Sequence, residues 1–152
     1  MKEFLNTLMI GNWVKYIGKG DGYYQRIGPS LLKDFYYQDN EEVSEKTIKP
    51  VLLSKKMFEL NGFKSVTDAN SKDDVYTKRV QEGPNNDEYD ISVHFHADDI
   101  TQIWVQKVIR TVVWGEEHEW LGMLCRVKYV HTFQNWLNIT GLKETAEEFN
   151  IM

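Results

Sequence analysis

Between Tyr129 and Asn138 the residues sort onto two arcs of a helical wheel. Tyr129, Val130, Phe133, Trp136 and Leu137 fall on one, and His131, Gln134, Asn135 and Asn138 on the other. A helix this apolar on one side needs a partner surface, and in a chain of 152 residues the available partner is a sheet built by the rest of the sequence. The stretch from Cys125 to Gly141 therefore predicts a strand feeding a closing helix that lies on that sheet, and the class it implies is α+β.

The β half of that expectation is written as alternation. Ile91, Val93, Phe95 and Ala97 alternate with Ser92, His94, His96 and Asp98, the run ITQIWVQKVIRTVVW follows, and Gly115-Glu116-Glu117 reads as a turn. Leu121, Met123, Cys125 and Val127 then share one face, which makes Cys125 a small inward-facing hydrophobe. Near the start, LMIGNWVKYI reads as a strand, and the glycines at 18, 20 and 22 around Asp21 read as a hairpin turn. They do not read as a phosphate loop, because no Lys-Ser/Thr and helix follow them. YYQRI, a break at Gly28-Pro29, and LLKDFYY continue in short aromatic strands of the kind that build small curled, SH3-like sheets. IKPVLLS adds an edge strand, since Pro50 cannot donate to a ladder.

A helix should open on Ser54 as N-cap and stop at Gly62, with Phe63 packing back on Phe58. Residues 65–90 are dominated by Asp, Asn, Ser and Lys and read as a polar surface excursion with at most one short strand. Past Gly141, Leu142, Ala146 and Phe149 fall on one face of a short last helix. The expected plan is a single domain over 1–152 with an antiparallel, partly barrel-like sheet. Residues 1–64 give a small SH3-like β part plus the helix after Ser54, and 91–152 give β-hairpins plus the closing helix.

The formal charge of −5 argues against wrapping duplex nucleic acid, where phosphate neutralisation supplies most of the affinity. Charge is uneven, however: residues 1–64 carry ten Lys/Arg against eight Asp/Glu, residues 65–152 eight against fifteen. A local basic patch can therefore form in the first part. One cysteine permits a reducing compartment, and neither a signal peptide nor an apolar run of about 18 residues is visible, so no membrane partner is expected and the cytoplasm is the expected location.

Side chains with chemical potential are few. His94, His96 and Asp98 fall on one face of a strand, the spacing a metal-dependent hydrolase would use, though the polar face of a half-buried strand carries the same pattern. His131 and Asn135 share the polar arc of the closing helix, where they either contact a ligand or hydrogen-bond a neighbouring loop or the first strand. His118 falls in the expected 115–117 turn region and reads as solvated. No GxSxG, HExxH, paired CxxC or Walker pattern is present, so neither a catalytic residue nor a cofactor is expected. Aromatic residues beside cations remain: Trp13, Tyr23, Tyr24, Arg26, Tyr36 and Tyr37. Such a set suits stacking on single-stranded bases and equally suits a protein interface. Net acidity favours a protein partner.

LMIGNWVKY, IKPVLLSKKMFELNGF and VKYVHTFQNWLNITGLKE resemble, in that order, three blocks of an uncharacterised family of small proteins from phages and mobile elements of anaerobic gut bacteria. The family opens on a RIGNWV-like strand and closes on a YVHxLQNLYFxLTG-like helix. Phe133 stands here for the usual Leu, and Asn138 where an aromatic is common. The resemblance implies a gene context and a domain plan but no reaction. With the missing catalytic motif and the surplus of aromatic residues, it leads to the expectation of a non-enzymatic accessory protein acting by binding a host or defence factor or an assembly component.

Overall fold

The computed structural model describes residues 7–17, 22–31, 48–67 and 70–152. The chain is α+β, with two antiparallel sheets, and it divides into two compact units, Met1–Leu53 with Tyr129–Asn135 and Ser54–Lys128 with Trp136–Met152. The division falls at the start of the Ser54 helix, before Tyr129, and again between Asn135 and Trp136. Neither sheet closes on itself among the described residues: each begins and ends on a strand with one paired neighbour.

The first unit holds β1 (Trp13–Tyr16), β2 (Tyr23–Arg26) and β3 (Ile48–Pro50), in the order β2-β1-β3. Tyr16 pairs with Tyr23 across the expected hairpin, whose glycine turn lies outside the described residues except for Gly22. Gly22 has φ +74°, and a Cβ there would meet the Tyr16 carbonyl at 2.9 Å, so the position demands glycine. Pro50 sits on an edge strand, as a residue without an N–H must. The alternation sends Val14 and Ile48 to one face, where they join Leu8 and Ile27 in a buried cluster with Tyr16 and Leu31 packed against it. Residues 29–31 turn helical; the rest of the strand expected over LLKDFYY, with Tyr36 and Tyr37, lies outside the described residues.

The second unit is built on β4 (Lys64–Ser65), β5 (Asp73–Glu82), β6 (Asp87–His96), β7 (Asp99–Thr111) and β8 (Gly115–Cys125), in sequential order. Ser54 caps α1 (Lys55–Leu60) by accepting from the Met57 N–H. The helix stops as the sequence predicts. Gly62 takes φ +81°, its N–H donates to Glu59 O, the Phe63 N–H donates to Phe58 O at 3.0 Å, and the Phe63 ring meets Phe58 edge-on at 5.1 Å. Phe58 is fully buried, and Phe95 and Phe149 also meet it at 5.8 and 5.7 Å between centroids. The rings meet edge to face, the arrangement that aromatic quadrupoles favour.

The helix α2 (Val130–Ile139) keeps Val130, Phe133 and Leu137 wholly buried, with Trp136 half-buried, which is the inward apolar face that its periodicity requires. It ends like α1: Gly141 has φ +88°, and the Leu142 N–H donates to Leu137 O at 2.8 Å, with both leucines buried. The short α3 (Lys143–Glu148) follows. Glu82, only 5% exposed at the end of β5, accepts from the Thr145 N–H and Oγ1 at 2.6 Å each and from the Glu144 N–H at 3.2 Å, satisfying donors of the first turn of α3.

Three expectations are corrected. The polar stretch 65–90 is not a surface excursion: β5 and β6 form a ten-residue ladder, Asp73↔His96 through Glu82↔Asp87, closed by a turn at Gly83. Charges hid the strand from a hydrophobic pattern, because cross-strand ion pairs such as Arg79–Asp90 replace apolar contacts on its outer side. The β7–β8 turn lies at Val112–Trp114 rather than at 115–117, with the Trp114 N–H donating to Thr111 Oγ1 and Gly115 at φ +73°. His118 is accordingly a strand residue. Cys125 is exposed, not inward: a bulge between Val105 and Gln106 reverses the side to which each part of β8 points.

Candidate functional site

The register of the first unit places Trp13, Tyr24 and Arg26 of the sequence-predicted set on one sheet face. Trp13 lies opposite Arg26, and Lys15 lies between Tyr24 and Lys49. Residues paired across an antiparallel ladder share a face, so Trp13, Lys15, Tyr24, Arg26 and Lys49 stand together, opposite the side where Val14 and Ile48 are buried. The Arg26 guanidinium lies 4.9 Å from the Trp13 ring centroid, and the Lys15 ammonium 5.7 Å from Tyr24. Tyr23 is more than half exposed but takes the opposite parity, with its ring 5.3 Å from Tyr16. No Asp or Glu occurs among the described residues of this unit. The result is a cationic face whose rings and cations are already paired.

His131 and Asn135 do not join that face as solvent-directed groups. His131 is 3% exposed beside the Tyr129 ring, and burial pushes its pKa down to about 4, so it is neutral at pH 7. Asn135 is structural: its Oδ1 accepts from Asn12 Nδ2 at 3.0 Å and its Nδ2 donates to Thr7 O at 2.6 Å. Gln134, 2% exposed, completes the clasp by accepting the Trp13 N–H at 3.1 Å. These bonds of Gln134 and Asn135 fix the lead-in to β1, the hydrogen-bonding role anticipated for Asn135.

The potential metal trio is likewise divided among other tasks. Trp104 Nε1 donates to His94 Nε2 at 2.6 Å, and burial lowers the His94 pKa. His96 Nδ1 lies 2.7 Å from Asp73 Oδ1, and the Asp98 carboxylate lies 3.9 Å from Lys55. A turn at Ala97, φ +53°, separates Asp98 from the two histidines, which is why strand spacing misled. Among the described residues the group of ligand-type side chains that does converge is Asp90, Glu116 and His118. A cation already occupies it. Arg79 donates through Nε and Nη2 to both Asp90 oxygens at 2.7 and 2.8 Å, and through Nη1 and Nη2 to both Glu116 oxygens at 3.2 and 2.7 Å. The guanidinium holds both carboxyls below their ordinary pKa. Arg79 and Asp90 also line an open groove of about 600 Å³ together with Lys64, Lys78, Ser92 and Gln106.

The Arg79 clasp and the buried Glu82 both escaped sequence reasoning. Glu116 lies 37 residues from Arg79 and Thr145 lies 63 from Glu82, where no local spacing announces them. Comparison with protein-family models, curated proteins and solved structures finds no match. Among the described residues no helix is long and apolar enough to cross a membrane.

Proposed function

We propose that this chain is a non-enzymatic binding module whose three-stranded sheet docks an acidic surface of a protein partner. The observation that carries the reading is the outer sheet face, where Lys15, Arg26 and Lys49 stand with Trp13 and Tyr24 and no described acid accompanies them. A guanidinium held over an indole is pre-organised, so less freedom is lost on binding. The same stacking occupies ring faces that single-stranded bases would need, which favours the protein reading over the nucleic-acid one. An SH3-like curl of this sheet would suit such a role. So would the resemblance to phage and mobile-element proteins, which makes a host or defence factor in the bacterial cytoplasm the expected partner.

The test is affinity capture from a lysate of an anaerobic gut bacterium with the wild type and with Lys15→Glu/Arg26→Glu, alongside titration of a fluorescent oligo-dT strand. A protein retained by the wild type and lost by the double variant is the expected result. Salt-sensitive oligonucleotide binding that the variant abolishes, with no protein retained, would replace the reading by the nucleic-acid alternative.

A further inference from the structure

The two edges of the five-stranded sheet are built very differently. β4 is two residues long and includes Lys64, a short charged edge of the sort that resists further pairing. β8 runs for eleven residues, contains no Pro or Lys, and is exposed at every position except Gly122 and Leu124. Trp120, Leu121 and Met123 present 52%, 36% and 48% of their surface to solvent. A long edge with an apolar centre, interrupted by a bulge at Leu121, is a template for another strand, because no strand among the described residues pairs with its outer side.

The order of charges along this edge says which strand. Glu116, Glu117 and Glu119 lie at its start, the uncharged run Trp120–Cys125 follows, and Arg126 and Lys128 lie just past its end. When such a strand meets its own copy antiparallel, each acidic end faces the other's basic end and the apolar runs coincide at the centre. An unrelated peptide would have to reproduce that reversed order. Isologous two-fold pairing supplies it automatically.

We propose that β8 pairs antiparallel with β8 of a second copy, joining two five-stranded sheets across a two-fold axis centred within Trp120–Cys125. A single strand pair of this length buries less than a standard interface, so the dimer should be concentration-dependent, with Kd of about 1–100 μM.

Sedimentation velocity on the full chain should show the mass rising from 17.9 kDa to twice that value as concentration increases. Amide exchange along β8 should slow in parallel. Glu117→Lys/Glu119→Lys should weaken association about tenfold or more, and adding Arg126→Glu/Lys128→Glu should restore it, because the charge order is then inverted at both ends. All four side chains belong to exposed residues, so folding is not at issue, and an unchanged circular dichroism melt verifies that. A mass that stays monomeric up to about 500 μM overturns the proposal. So does a dimer that is indifferent to the first pair of substitutions or not recovered by the second.

Discussion

The two units of this chain hold themselves together by different means. In the second, Phe58 gathers Phe63, Phe95 and Phe149 ring against ring, and Tyr76 meets Phe95 at 5.7 Å. In the first, a small aliphatic cluster of Leu8, Val14, Ile27 and Ile48 is supplemented by amide side chains: Asn12, Gln134 and Asn135 tie α2 to the approach of β1. A strand of three or four residues buries too little apolar surface to fix its own position, and directional hydrogen bonds make up the difference. The ladder of ten paired residues between β5 and β6 has no such need. Where the apolar core is thin, placement falls to polar groups that tolerate little change.

The largest effect should come from the ring cluster. Phe58→Ala empties the centre of the second unit and should cost about 3–5 kcal/mol, read as a lowered denaturant midpoint. A loss under about 1 kcal/mol would mean that the rings are not the unit's principal support.

Next is the buried imidazole of the first unit. His131 titrates near pH 4 when folded against about 6.5 when unfolded, so the unfolded chain binds the proton more readily. Its contribution is intact above pH 6.5 and falls away as the pH drops toward 4, by about 3 kcal/mol. A His131→Gln variant should flatten that part of the stability–pH curve. Equal slopes for the two proteins between pH 6.5 and 4 would show that the imidazole accepts a proton without penalty.

Asn12→Ala tests the polar clasp. Asn12 Oδ1 accepts the Met9 N–H at 2.7 Å, Nδ2 donates to Asn135, and the residue is 1% exposed, so the substitution should cost about 1–3 kcal/mol. Faster amide exchange at β1 should accompany it. The smallest effect belongs to Arg79→Ala: the side chain is 38% exposed, and breaking its two bidentate pairs should cost less than about 1 kcal/mol, a difference that shrinks in about 1 M salt. Together the series separates ring packing, proton linkage, amide geometry and surface charge as supports of the two units.

Some local structure was legible because its cause is local. Ser54 as cap, Gly62 with Phe63 as stop, Pro50 at an edge and the inward set Val130, Phe133 and Leu137 follow from backbone sterics and periodicity within one or two turns. The length of β5 was not legible beyond the one short strand expected in 65–90, since its Asp, Lys and Arg residues gain their strand geometry from β6. Nor was the outward turn of Cys125, set by a bulge at Leu121 within β8 itself. The basic aromatic residues of the candidate face were visible one by one. Register alone put Lys49 beside Lys15, and Arg26 over Trp13.

By itself the sequence determined that the chain is α+β, where α1 begins and ends, and that Val130, Phe133 and Leu137 of α2 go inward, because these depend on neighbours a few residues apart, whereas the burial of His131 and Gln134 on the expected polar arc was not foreseen. Only the tertiary structure decided that 65–90 is sheet rather than excursion, that His94, His96 and Asp98 serve different partners, and that Arg79 joins Asp90 to Glu116. Each of those outcomes hangs on hydrogen bonds or ion pairs between segments distant in the chain, whose meeting is fixed by strand register and by bulges that shift it.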